Sequence, residues 1–129
     1  MPITGIHHYN LRASQGLLDE LRIFYTSAVG LESGYRPPFK NFGYWLYAAT
    51  EAVLHLSEAA EHESRQRDVK GTFDHVAFSC TGLAGFEARL QEHGIPYTRG
   101  EVPLTETIQL FFSDPAGNGV ELNFAQGDA

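Results

Sequence analysis

Ile6-His7-His8-Tyr9-Asn10-Leu11 is a short alternating run of strand character, and 67 residues on it is met again as Phe73-Asp74-His75-Val76-Ala77-Phe78. The residues downstream of the two runs are also alike. After the first come Ser14, a cap-type residue, and Leu17, Leu21, Phe24 and Ala28 at three- and four-residue steps; after the second come Thr81, then Leu83, Phe86 and Leu90. That spacing predicts two helices, each with one apolar stripe. Both are expected to stop at Gly30-Leu31 and Gly94-Ile95, because glycine accepts the left-handed C-terminal position and the next apolar residue packs back on the last turn. Three short strands are expected after each helix, near 33–36, 42–48 and 52–57, then near 97–101, 107–113 and 119–124. The order β-α-β-β-β thus occurs twice at offsets of 64 to 67 residues, which reads as two copies of one unit.

The expected fold class is therefore α+β, two βαβββ modules in tandem. We read one domain over 1–129, made of module 1 (about 3–57), a connector over 58–71 rich in Glu, Arg and Gln, and module 2 (about 72–126). One unit alone has a four-stranded sheet with a bare face and two open edges, so it needs its twin. The 129 residues are enough for a single domain with a real core. With 43% hydrophobic and 19% charged residues, the composition is that of an ordinary globular chain. Sixteen acidic against nine basic residues give a net charge of −7, which argues against nucleic acid and anionic membrane as partners. No apolar run approaches the ~20 residues of a membrane span, and Met1-Pro2-Ile3-Thr4 is no signal peptide. The lone Cys80 forbids an intrachain disulfide and suits a reducing compartment. A cytoplasmic protein that handles a small molecule is expected.

Period-two alternation assigns the faces. In Val120-Glu121-Leu122-Asn123-Phe124 the apolar set belongs to the helix side, so Glu121 and Asn123 face away from it. The same rule turns His55 away from Leu54 and Leu56, and His75 away from Val76 and Phe78. Overlay of the two opening runs selects His8, with Asn10 on its face, and leaves His7 on the helix side. His8 to His55 is 47 residues and His75 to Glu121 is 46. Each half therefore offers one ligand-type side chain from its first strand and one from its last. If the halves pair by an approximate two-fold, His8, His55, His75 and Glu121 converge, a donor set suited to Fe(II), Zn, Ni, Co or Mn.

These residues resemble the vicinal oxygen chelate superfamily, the group of glyoxalases, bleomycin resistance proteins and extradiol dioxygenases. The likeness runs from Ile6 to Phe124. Its most specific pieces are Gly5-Ile6-His7-His8-Tyr9-Asn10-Leu11 and Asp114-Pro115-Ala116-Gly117-Asn118-Gly119-Val120-Glu121-Leu122. The resemblance implies a curved mixed-sheet cup, helices outside, around one divalent metal ion. His8 and His75 stand at the family's first-strand ligand positions and Glu121 at the last-strand one. His55 stands where many glyoxalase I enzymes carry a second Glu, and whether it ligates is left open. The implied function is a metal-dependent enzyme acting on a small oxygenated metabolite, by glyoxalase-like lyase or isomerase chemistry through a metal-stabilised enolate. Glu121 would stay a ligand or take a proton. The alternatives are an Fe(II) extradiol-type dioxygenase on a catechol-like substrate, against which a fourth ligand at His55 counts, a thiol transferase acting on an epoxide, and a metal-free drug-binding protein of the bleomycin-resistance type.

Alternation also supplies a pocket. Gln109 and Phe111 face away from the helix, as do Gly43, Trp45 and Tyr47 in the first copy. Trp45 and Phe111 fit a ligand wall or plain core equally well. Arg36 and Arg99 end equivalent strands and could meet a substrate carboxylate, although a solvated surface role is the default for such residues. His62 and the Glu58, Glu61, Glu63 run belong to a solvated connector, and His93 to a helix end. Open sheet edges lead us to expect a homodimer.

Overall fold

The first copy builds its sheet around β4 (Glu51–Glu58), which is flanked by β1 (Tyr9–Ala13) in parallel and β3 (Gly43–Ala48) in antiparallel pairing. A short β2 (Glu32–Gly34) closes the order β1-β4-β3-β2. The second copy repeats this with β5 (His75–Ser79), β6 (Thr98–Glu101), β7 (Ile108–Ser113) and β8 (Gly119–Phe124), in the order β5-β8-β7-β6. The computed structural model describes residues 2–125 and Gly127. Two tandem α+β modules, each a four-stranded mixed sheet with one α-helix, are thus present as expected. The chain divides into two compact units, Met1–Gln66 and Arg67–Ala129, the boundary falling inside the connector.

Helix α1 (Gln15–Phe24) starts at Ser14, whose hydroxyl accepts from the Leu17 amide, and buries Leu17, Leu18 and Leu21. Its last turn widens into a π-helical segment, Tyr25–Val29, where the Thr26 hydroxyl donates back to the Arg22 and Ile23 carbonyls. Gly30, at φ 99°, ends it, and the amides of Gly30 and Leu31 both bond the Tyr25 carbonyl. Helix α2 (Leu83–Glu92) differs at its start. The N-cap is Gly82 in the left-handed region, with no side-chain cap, so Thr81 does not play the part of Ser14. Gly94 and Ile95 close it as predicted.

Leu46, Leu54 and Leu56 in unit 1 and Leu110, Leu122 and Phe124 in unit 2 are fully buried. Their neighbours in sequence therefore occupy the opposite face of each sheet. Tyr44 confirms the sidedness of β3, since its hydroxyl donates to Asp19 of α1 at 2.6 Å. The opening strand is shorter than expected. Pairing begins at Tyr9 opposite Leu54, and Ile6 is fully exposed. His7 consequently lies outside any ladder and is exposed, rather than on the helix side. Alternation marks the faces of a ladder but not where the ladder starts.

Candidate functional site

In unit 2 the ladder places Glu121 opposite Phe111 and beside Ala77, with His75 beside Gly119. Gly119 is what lets β5 lie so close, because a Cβ there would strike the Asp74 carbonyl oxygen and come within 2.9 Å of the His75 Cβ. The register of β8 is set just upstream by a tight turn. Asp114, itself buried, accepts from the amides of Ala116 and Asn118 at 2.9 Å, and Gly117 supplies φ 92°.

Glu121 is 6% exposed on a face free of helix. Its Oε2 accepts from the Gln109 amide at 3.1 Å and the Asn123 amide at 3.2 Å, while its Oε1 lies 3.3 Å from His75 Nε2. His75 Nδ1 donates to Asp74 Oδ2 at 2.8 Å. In the neutral ring, a carboxylate behind the imidazole holds the proton on Nδ1 and leaves Nε2 as the lone-pair nitrogen. Phe111 meets the ring edge-on at 6.4 Å. His75, Glu121, Gln109 and Phe111 are thus brought together. Asn123 joins them on the face that alternation assigns it, and Asp74 and Gly119 are further parts that alternation alone does not single out. The exposed Asp74 reads as surface, and Gly119 reads as turn.

The equivalent face of unit 1 is built from rings. His8 stacks on His55 (3.7 Å between centroids, 14° between planes), and His55 stacks on Trp45 (4.0 Å, 10°). His55 is 8% exposed, and its Nε2 donates to the Ala52 carbonyl at 3.1 Å. Burial pushes its pKa below the ordinary imidazole value, positive charge at His8 adds to that, and the Ala52 carbonyl opposes it. Two parallel rings carry their in-plane lone pairs in parallel planes, so in this geometry His8 and His55 do not aim at one common ion. Among the described residues, neither unit gathers three His, Cys, Asp or Glu side chains in a metal-holding group.

Beside this stack lies a cavity of about 240 Å³ lined by Asn10, Arg12, Arg36, Phe39, Asn41, Trp45, His55, Leu56 and Ser57. Arg12 is taken up by Glu63, with Nε at 2.9–3.0 Å and Nη2 at 2.6 Å from the carboxylate. Asn10 Oδ1 accepts from the Ser57 hydroxyl. Tyr47 shares the side of Trp45, and its hydroxyl donates to the Tyr35 carbonyl. Arg99 behaves differently from Arg36. It stands opposite Leu110 in the ladder and reaches Glu87 of α2 at 3.5 Å, so it sits on the helix-bearing side. A strand-end position matched by the repeat does not guarantee a matched side chain direction.

No protein-family model matches the chain. It is 30% identical over 125 residues to Glyoxylase I 4 of Arabidopsis thaliana, a match covering 93% of this chain and 70% of that protein. The chain belongs to the vicinal oxygen chelate superfamily. The fold of this superfamily member agrees. A glyoxylase/bleomycin resistance protein/dioxygenase domain from Frankia sp. EAN1pec has a TM-score of 0.74 at 20% identity, with 95% of this chain and 98% of that one covered. TnmS3, an antibiotic binding protein from Streptomyces sp. CB03234, has a TM-score of 0.68 at 20% identity over 97% and 98% of the two chains. For the superfamily member described here, no helix among the described residues is long and apolar enough to cross a membrane.

Proposed function

We propose that this protein is a divalent-metal-dependent enzyme of the lyase or isomerase type, acting on a small oxygenated metabolite. The observation that carries the reading is the 3.3 Å approach of His75 Nε2 to Glu121 Oε1, with His75 Nδ1 occupied by Asp74. With the ring neutral, a lone-pair nitrogen and a carboxylate oxygen repel when they face each other, so a cation, either a proton on Nε2 or a metal ion, belongs between them. Ligand atoms each ~2.1 Å from a zinc-type ion stand roughly 3.0–3.4 Å apart in octahedral or tetrahedral arrangements. The pair fits that separation, and borderline N and O donors suit Zn, Ni, Co, Mn or Fe(II). In unit 1, His8 and His55 are stacked neighbours.

When bound, a divalent ion supplies a Lewis acid that polarises a substrate oxygen. Glu121 does the proton work. Gln109 and Asn123 hold its Oε2, which keeps the carboxylate oriented with its Oε1 toward His75 Nε2. Phe111 and the buried strand surface limit water there, so a proton taken from carbon is retained for return.

The test is elemental analysis of the metal-replete chain, followed by solvent deuterium exchange into α-hydroxycarbonyl compounds read by NMR. We expect about one ion per chain and exchange that Glu121→Gln slows by about 10²–10⁴-fold. Asp74→Asn should weaken metal binding by about 10–100-fold. Bound iron with O₂ uptake on catechols would move the protein to the dioxygenase reading. Absence of both a stoichiometric ion and exchange would leave metal-free small-molecule binding. The ring-lined cavity of unit 1 and the structural likeness to an antibiotic binding protein favour that second reading.

A further inference from the structure

The geometry points to a carboxylate subsite at Arg36, on the open face of unit 1, for a small aromatic or conjugated monocarboxylate. It names a substrate class for the reading above and rests on that reading for turnover only. Binding stands on its own observations.

Arg36 is a cation with no acidic partner among the described residues, in a chain of net charge −7. Its Nη1 donates to the Asn41 carbonyl at 2.9 Å and its Nη2 to Asn41 Oδ1 at 3.1 Å, both neutral acceptors, while its buried Nε bonds nothing described. The neighbouring Arg12 is already neutralised by Glu63, so the cavity presents one unspent positive charge. The guanidinium is also held in place. It lies 4.9 Å from the centroid of the Phe39 ring, and Gly43 makes room for it, since a Cβ at 43 would stand 2.8 Å from Nη2. A fork fixed in this way suits the two oxygens of a carboxylate better than a point charge would.

The rest of the cavity selects shape. Phe39 and Trp45 are its ring surfaces, tilted by 44° at 6.1 Å. The Asn10 amide nitrogen bonds no described residue, because Ser57 uses only the oxygen. It is a neutral donor on the same wall as the Arg36 cation. At about 240 Å³ the space is smaller than the roughly 300 Å³ at which drug-sized pockets begin. One flat ring with one carboxylate matches that room and that charge.

Trp45 is the single tryptophan of the chain, so its fluorescence reports this cavity and no other place. Benzoate is titrated into the full chain after EDTA treatment, with benzamide and acetate as controls. Saturable quenching by benzoate is expected, with both controls at least tenfold weaker. Arg36→Gln should weaken benzoate at least tenfold and Arg36→Lys less. If Arg36→Gln loses the wild-type far-ultraviolet circular dichroism, Asn41→Ala, which keeps the charge and removes its side-chain brace, should weaken benzoate about threefold or more. No saturable change with benzoate, equal binding of benzamide, or an unchanged Kd in the folded variants would overturn the assignment. Because the metal is absent throughout, a chain that binds zinc but not benzoate loses this inference and keeps the enzyme reading. The converse result does the opposite.

Discussion

At positions 55 and 121 the two copies occupy the same place in their sheets, opposite Trp45 in one and Phe111 in the other, yet one holds an imidazole and the other a carboxylate. Single residues also tie each sheet to its helix. The Tyr44 hydroxyl bonds Asp19 of α1, an interaction that raises the phenol above its ordinary pKa. Tyr44→Phe should lower unfolding free energy by about 1–2 kcal/mol in urea titration, since the carboxylate loses a donor while staying partly solvated. At this scale the sequence is readable in faces and silent in rotamers. Leu54 and Leu56 tell that His55 points away from the helix. Nothing in their spacing tells that His55 is sandwiched between His8 and Trp45, because ring stacking depends on side-chain torsions that alternation does not encode.

The elements follow their apolar stripes closely, and Leu18 adds to one of them. It is fully buried on α1 beside Leu17 and Leu21, one residue more than the stripe of Leu17, Leu21, Phe24 and Ala28 marks out. Leu18→Ala should cost about 2–5 kcal/mol by denaturant unfolding, through lost transfer energy plus the cavity left behind. Strand β8 is readable to the residue, since Gly119 and the Asp-Pro turn mark its start. The widened turn after α1 is not. Leu17, Leu21, Phe24 and Ala28 keep three- and four-residue steps straight through it, and the cue is a single hydroxyl on Thr26 that satisfies carbonyls the regular helix would have used. The start of α2 departs from expectation for the opposite reason: Thr81 has the right chemistry for a cap, but the left-handed Gly82 takes the N-cap position.

Across the whole chain, the connector belongs half to each unit. Ala59 bonds the Ala13 carbonyl and Glu63 grips Arg12, whereas Asp68 and Arg67 bond the Ala116 and Pro115 carbonyls of the turn before β8. What composition reads as a solvated charge run is therefore partly docked, because one glutamate finds a bidentate arginine. That guanidinium, helped by the Ala60 amide, holds the Glu63 carboxyl down at about 2. A carboxylate with a lowered folded pKa binds fewer protons folded than unfolded, so its stabilisation is complete above the ordinary value near 4.5 and fades as pH falls toward 2. The Tm of Glu63→Gln should lie below wild type at pH 7, and the two curves should converge on acidification through that window. The duplication of the module, its strand order and its faces are all legible, since each rests on repetition or alternation.

A fold written twice leaves one version to spare. With the carboxylate kept in one copy and the imidazole in the other, either face can be revised by mutation without erasing what its counterpart does. A change on the ring-lined face of unit 1 leaves the carboxylate–imidazole pair of unit 2 as it stands.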